Sequence, residues 1–425
     1  MDNLIPEIFV LWHPSCALGE SLARRVHAWL RPENGLGPQV FYRSLPAPEA
    51  PRGGLPLPLP EEARPGTTTS VGGSRVTNLQ IVLLLIDENM IADAAWRHWL
   101  AQLASASVPA GWRVFLPVAL DATAFNVPAL LRELNFLRPA GLPLPVTDPP
   151  GPPAAIETVV RSLLKQLTEA LCRLLLGKGV SPPARIPANP AAATDDGTAK
   201  IMIFLSHAKV DGTVAAKRIR DYIYSQTQLA AFYDENDIPF GSVFGRVLHA
   251  NVQGTQTAAL IVIRSARYAS RPWCRRELSL FRRPLPDSSA PGRAERWRLN
   301  PSVVVDALDG GTSTLGIPEF GNAPMIRWAD ETKDQAEQVV TTVLRDSLLA
   351  AFHAAVGRTV PDDPDCIVLN WLPDPTTLLH IPRVRAANED LRVCYPGRGL
   401  SGLELDILDE FFPRLTFHGF DTVSA

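Results

Sequence analysis

Cysteine is sparse and never paired in this sequence. Cys16, Cys172, Cys274, Cys366 and Cys394 are five in 425 residues, an odd and scattered set with no paired spacing that would suggest a disulfide framework or zinc ligation. A reducing, cytoplasmic setting is expected. Excess charge is missing too: 41 Lys and Arg against 44 Asp and Glu leave a net charge of −3. Nothing global draws the chain to nucleic acid, and no direct nucleic-acid binding is expected; Arg275, Arg276, Arg282 and Arg283 form only a local basic patch. The N-terminal segment carries Asp2 and Glu7 rather than a basic stretch, and no unbroken apolar run approaches a membrane span of about 18 residues. Neither a signal peptide nor a membrane anchor is expected. There is no Gly-rich phosphate loop, Ser-His-Asp arrangement or metal-ligand cluster, and His249, His353, His380 and His418 stand isolated.

What is present is a pattern that occurs twice. Leu83 to Leu100 repeats Leu260 to Glu277 without a gap, each reading as a buried strand, a loop and a Trp-led helix. Further matches follow in the same order: Ile8 to His13 with Ile201 to His207, Val40 to Arg43 with Ala231 to Asp234, and Val118 to Asp121 with Asp306 to Asp309. Strands alternate with helical patterns, such as Ser21 to Leu30 and Val214 to Ile223, so each copy predicts an α/β module with a parallel sheet. In this alignment Ser206 stands opposite Trp12, Asp234 opposite Arg43 and Glu277 opposite Leu100. Only the second copy keeps polar residues at all three places.

The expected organisation is a first module over 1–179, a Pro-rich linker over 180–199, a second module over 200–357 and a small α/β extension over 358–425. Within the first module, residues 46–73 form an insertion rich in Pro and Gly, expected as a surface loop. Proline in the linker makes it a semi-rigid spacer. The extension predicts strands at Cys366 to Trp371, Leu391 to Tyr395 and Leu415 to His418, with a helix from Gly402 to Phe412. At that size it needs to dock on the second module or on another chain.

Three segments carry candidate chemistry: Phe204-Leu-Ser206-His207-Ala-Lys-Val-Asp211, then Phe232-Tyr-Asp234-Glu-Asn-Asp237-Ile-Pro239-Phe240-Gly241, then Trp273-Cys-Arg-Arg-Glu277. In this order and near this spacing they resemble the Toll/interleukin-1 receptor (TIR) domain, over roughly residues 200 to 357. The first module resembles a diverged copy with weaker motifs. The resemblance implies two flavodoxin-like parallel-sheet modules in tandem, with the site outside the carboxyl ends of the strands. It also implies hydrolysis of NAD as substrate without a further cofactor, with Glu277 catalytic and Ser206, His207, Asp234, Phe240 and Trp273 binding substrate. Homo-oligomerisation through the TIR modules, a protein or nucleotide activator and a role in bacterial antiviral defence come from the same resemblance.

A single carboxylate suits such a reaction, because nicotinamide leaves from a pyridinium cation as a neutral molecule and needs no general acid. The transition state is oxocarbenium-like, as in glycoside hydrolysis, and Glu277 would stabilise it or hold the ribose hydroxyls. Each residue also has a plain structural reading. A Glu in the first turn of a helix is favoured by the helix dipole. Trp273 is a pocket wall or, by analogy with Trp96, a core aromatic. His207 caps a strand end or binds a phosphate, and Asp237 is a turn former. Against the enzyme stands a scaffold, in which both copies serve only as assembly surfaces.

Overall fold

The computed structural model describes residues 3–31, 37–42, 59, 70–71, 74–107, 113–142, 153–176, 202–227, 229–233, 257–288, 293–308, 316–329, 333–386, 388–397 and 400–420. The insertion apart from 59 and 70–71, the linker, Asp234, Asp237 and Phe240 lie outside these residues. The chain divides into two compact units, built mainly on Met1–Ala170 and on Gly197–Ala425.

In the first unit the elements are β1 (Asn3–Trp12), α1 (Gly19–Leu30), β2 (Gln39–Tyr42), β3 (Ser70–Val71), β4 (Ser74–Ile86), α2 (Glu88–Ala92), α3 (Ala94–Ser107), β5 (Arg113–Ala119), α4 (Ala129–Arg132) and α5 (Pro153–Leu176). Strands β2, β1, β4 and β5 lie side by side and parallel, and β3 adds an antiparallel edge to β4.

The second unit continues with β6 (Met202–His207), α6 (Thr213–Gln226), β7 (Ala230–Tyr233), β8 (Thr257–Arg264), α7 (Pro272–Phe281), β9 (Leu285–Ser288), β10 (Glu295–Arg298), β11 (Ser302–Asp306), β12 (Met325–Arg327) and α8 (Lys333–Gly357). It closes with β13 (Cys366–Leu369), α9 (Pro375–Leu378), α10 (Pro382–Ala386), β14 (Leu391–Tyr395), α11 (Gly402–Phe411) and β15 (Leu415–Gly419). Its first sheet runs β7-β6-β8-β11-β12, wholly parallel. Counted along the chain that is 2-1-3-4-5, a doubly wound order whose direction reverses between β6 and β8. Leu260–Ile263 and Val303–Val305 are all at 0% exposure, as continuous apolar runs must be when helices cover both faces of a sheet. On one face α7 packs through Cys274, Leu278 and Phe281; on the other lie α6 and α8. Residues 334–357 of α8 have the length and mean hydropathy of a membrane span, although Arg345 and Asp346 interrupt the run. This helix lies against β8, β11 and α6 as a core element.

The first unit repeats the order 2-1-3-4, and Leu137 bridges β5 where β12 pairs β11. Register gives the correspondence between the two sheets. Phe9 pairs with Phe41 and Val82, while Phe204 pairs with Phe232 and Leu260. From that anchor Ser206 corresponds to Leu11, His207 to Trp12, Tyr268 to Met90, Cys274 to Trp96 and Glu277 to Trp99. The alignment by sequence is therefore one residue out in β1 and in α3. Such a slip matters because it turns every strand side chain to the other face. Phe9 and Leu11 pack with Trp96, whereas Trp12 faces α1, where a Cβ on Gly19 would lie 2.0 Å from its Cδ1. The first unit thus answers Ser206, Tyr268 and Glu277 with Leu, Met and Trp.

The extension is not a separate sheet. Strands β13, β14 and β15 form the expected parallel series, and β13 pairs in parallel with β10, which turns back on β9. The hairpin of β9 and β10 lies between α7 and β11 in sequence, so the preceding module supplies two of the five strands. That is the docking that its small size called for. Ile367, Leu369, Val393 and Leu408 centre its core with Leu299 from just after β10. Ile367→Ala is expected to cost about 2–5 kcal/mol through lost burial and a residual cavity; urea unfolding of the full chain that finds less than about 1 kcal/mol would contradict this core.

Candidate functional site

The site is built where β6 ends against α7. Ser206, the penultimate residue of β6, points to the α7 face and is 1% exposed. Helix α7 starts at Pro272 with Arg271 as its N-cap, a placement that suits proline because the first-turn N–H has no intrahelical acceptor. That start puts Glu277 in the second turn, so the helix dipole does not account for it, contrary to the first-turn expectation. Glu277 is 8% exposed, and its Oε2 accepts a 2.5 Å hydrogen bond from Ser206 Oγ. Tyr268, wholly buried, brings its hydroxyl to 2.9 Å from Ser206 Oγ and 3.1 Å from the Cys274 carbonyl oxygen. The Cys274 thiol in turn donates to the His207 carbonyl at 3.4 Å.

Each hydroxyl carries one proton, which gives the chain two consistent arrangements. With Glu277 ionised, Tyr268 donates to Ser206 and Ser206 to Glu277. With Glu277 protonated, the direction reverses: Glu277 donates to Ser206, Ser206 to Tyr268 and Tyr268 to the Cys274 carbonyl. A carboxyl group that can shed or take a proton without breaking its supports is equipped for charge stabilisation and proton transfer.

The loops after β6 and β8 are tied by Asp211, whose carboxylate accepts from Ser265 Oγ at 2.7 Å and from the Arg267 backbone N–H at 2.8 Å. In the first unit the same two positions are Cys16 and Asp87: burial and then the Asp87 carboxylate raise the Cys16 thiol, and Asn89 Nδ2 donates to the Ser15 carbonyl at 3.4 Å across the two loops.

Of the residues expected at a site, the structure brings Ser206 and Glu277 into direct contact. His207 contributes its carbonyl to the cluster, while strand alternation sends its ring to the other face. Trp273 is not a core aromatic: it is 51% exposed, with the Arg276 guanidinium 5.3 Å from its ring centroid. Buried Trp96 is answered by Cys274 instead. The sequence reading missed Tyr268 and gave Asp211 no role. Tyr268 does carry a signal, as a lone aromatic in a polar loop four residues past a buried strand.

Burial pushes the Tyr268 phenol well above its ordinary value, and the Ser206 hydrogen bond only partly offsets this. Burial, followed by the Glu277 carboxylate, pushes the Cys274 thiol up to about 12. Both groups are neutral in the folded protein and ionise more readily when unfolded. Their contribution to stability is complete below the unfolded thiol value of 9.0 and is lost as pH rises toward about 12. Urea unfolding between pH 8 and pH 11, values chosen to bracket the ordinary thiol and phenol range of about 8.5–10, is expected to show falling stability. The fall should flatten in Tyr268→Phe with Cys274→Ala; an identical slope in that variant would remove these groups as its cause.

No protein-family model matches the chain, and no curated protein or solved structure matches it.

Proposed function

We propose that the second unit is a TIR-type, flavodoxin-like domain that hydrolyses NAD, with Glu277 as its catalytic carboxylate. The observation that carries this reading is the buried Ser206–Glu277 hydrogen bond at the carboxyl end of β6, beside the point where strand order reverses and ligands of such sheets bind. The C1′–N bond of the nicotinamide riboside breaks with its electron pair going to the pyridinium nitrogen. Glu277 stabilises the oxocarbenium character left on the ribose. Water then adds to C1′ and releases a proton, giving nicotinamide and ADP-ribose. Ser206 and Tyr268 hold the carboxylate in place. Asp234, Phe240, Trp273 and His207 remain part of this reading as substrate contacts. So do a cytoplasmic setting, assembly of several copies, a protein or nucleotide activator and a role in antiviral defence. The first unit, with Leu11, Met90 and Trp99 at the equivalent positions, has no carboxylate there and serves in regulation or assembly.

A second reading has its own support. A carboxylate that is 8% exposed and already hydrogen-bonded suits a structural anchor for α7, and the domain would then be a scaffold. Purified full-length protein at high concentration, incubated with NAD, distinguishes the two by chromatography of released nicotinamide. The expected result is release that drops at least about 100-fold in Glu277→Gln and about 10-fold or more in Ser206→Ala, from loss of a hydrogen bond to a charged group. Release that survives in Glu277→Gln, or none from the wild type under crowding, favours the scaffold.

A further inference from the structure

Cys366 opens β13, and Cys394 lies on the neighbouring strand β14. In this parallel pair Cys366 stands opposite Arg392 and Val368 opposite Cys394, so the two cysteines are diagonal neighbours on one face of the sheet. Their sulfurs are 3.2 Å apart. The other three thiols meet no sulfur: Cys172 and Cys274 donate to the Leu344 and His207 carbonyls, and Cys16 lies beside Asp87. Cys366 and Cys394 are 28 positions apart, a separation that leaves no local motif.

The surroundings make the two thiols unequal. The hydrogen bond with Cys394 lowers the Cys366 thiol below its ordinary value against the effect of burial, while Arg392 and Arg296 add to the fall and Asp363 opposes it. The same bond, together with burial, raises Cys394. Burial pushes Cys16 and Cys274 up to about 12 instead. A sulfur held toward its thiolate form, with a second thiol in contact to resolve it, is the arrangement that reversible thiol oxidation requires.

The pair is covered, Cys366 at 1% and Cys394 at 0% exposure, in a small cluster with Ala294, Val360 and Val368. Val360 belongs to the turn between α8 and β13. Arg296 holds this turn by donating to Asp362 at 2.9 Å and to the Val360 carbonyl at 3.0 Å, and Arg392 holds it by pairing with Asp363. Ion pairs near the surface contribute little, so local opening of the turn admits a small molecule to the sulfurs at low cost.

We infer that Cys366 and Cys394 form a modification site, a dithiol that a small hydroperoxide converts reversibly to a disulfide joining β13 to β14. The Cys366 sulfur attacks one oxygen of the hydroperoxide, the O–O bond breaks, and the departing oxygen leaves as water or an alcohol with the Cys366 proton. The Cys394 sulfur then attacks the sulfenic acid at Cys366. The S–S bond forms, the S–O bond breaks, and hydroxide leaves as water with the Cys394 proton. Two thiols give up two electrons in all, and the hydroperoxide takes them. The sulfurs close from 3.2 Å to about 2.05 Å with the strand order unchanged. A diagonal link spans more than a directly opposed one, so thiol reductants open it again readily.

Full-length protein treated with hydrogen peroxide, then denatured and alkylated, tests this by peptide mapping. The expected product is one peptide pair joined through Cys366 and Cys394, with Cys16, Cys172 and Cys274 still alkylated and all five thiols recovered after treatment with glutathione. Exposure alone predicts the opposite order, since Cys16 and Cys274 are 7% and 6% exposed. Loss of the Cys366 and Cys394 thiols is expected to be at least about tenfold faster than theirs. In Cys394→Ser the sulfenic acid at Cys366 lacks its resolving thiol and is expected to be trapped by dimedone. Five alkylated cysteines after peroxide, earlier loss at Cys16 or Cys274, or a cross-link to any other cysteine would overturn the proposal. The wild-type map decides this even where the serine variant misfolds. None of these readouts depends on cleavage of NAD.

Discussion

A carboxyl group that has lost most of its water must be given hydrogen bonds or it will not stay charged, and it will not stay buried cheaply. At Glu277 that constraint organises everything around it. Ser206 must end β6 on the α7 face, which fixes the register of β6 against β8. Tyr268 must reach both Ser206 and the first turn of α7, which fixes the loop between β8 and α7. Asp211 then ties that loop to the one after β6. Remove the carboxylate and the Ser206 hydroxyl loses its acceptor, which leaves Ser206 and Tyr268 a buried polar pair with no charge to support. The first unit shows the alternative solution, with Leu11, Met90 and Trp99 filling the space and Asn89 joining the loops through the Ser15 carbonyl.

Much of this was legible in the sequence. The alternation of strands and helices, the parallel sheets and the strands of the extension follow from hydrophobic periodicity, and the structure has them where they were expected. The pairing of Ser206 with Glu277 was legible only through a resemblance, because contact between residues 71 positions apart leaves no periodic trace. The residue-by-residue alignment of the two units was not legible. A strand has period two, so a one-residue slip in a run of Ile, Leu and Val gives a match just as good to the eye, and only the pairing of Phe9 with Phe41 and of Phe204 with Phe232 settles it.

The hairpin of β9 and β10 escaped detection for a different reason. Leu285-Pro-Asp-Ser and Glu295-Arg-Trp-Arg have neither clean alternation nor a long apolar run, and Pro286 argues against a strand in a sheet interior. As an edge strand β9 tolerates its proline. Strand β10 is held by parallel pairing to β13, some 70 residues on, so its signal lies in the partner rather than in itself. Chain segments whose conformation is set by distant partners are those that local propensity reads worst.

The two units also show why the buried polar chain is kept whole or not at all. A neutral hydrogen bond contributes about 1 kcal/mol net, but a buried donor or acceptor left unpaired costs about 1–3 kcal/mol. Exchanging Ser206 alone for an apolar residue strands Glu277; exchanging Glu277 alone strands Ser206 or reverses Tyr268. Single steps between the polar and apolar sets are therefore uphill from either end, whereas each complete set packs well. Leu11, Met90 and Trp99 occupy the three equivalent places together, with no polar residue left among them. The presence of Ser206 and Tyr268 beside Glu277 is accordingly a property of the set. A reading of the site that treats the carboxylate apart from Ser206 and Tyr268 mistakes one member of a cooperative unit for the whole.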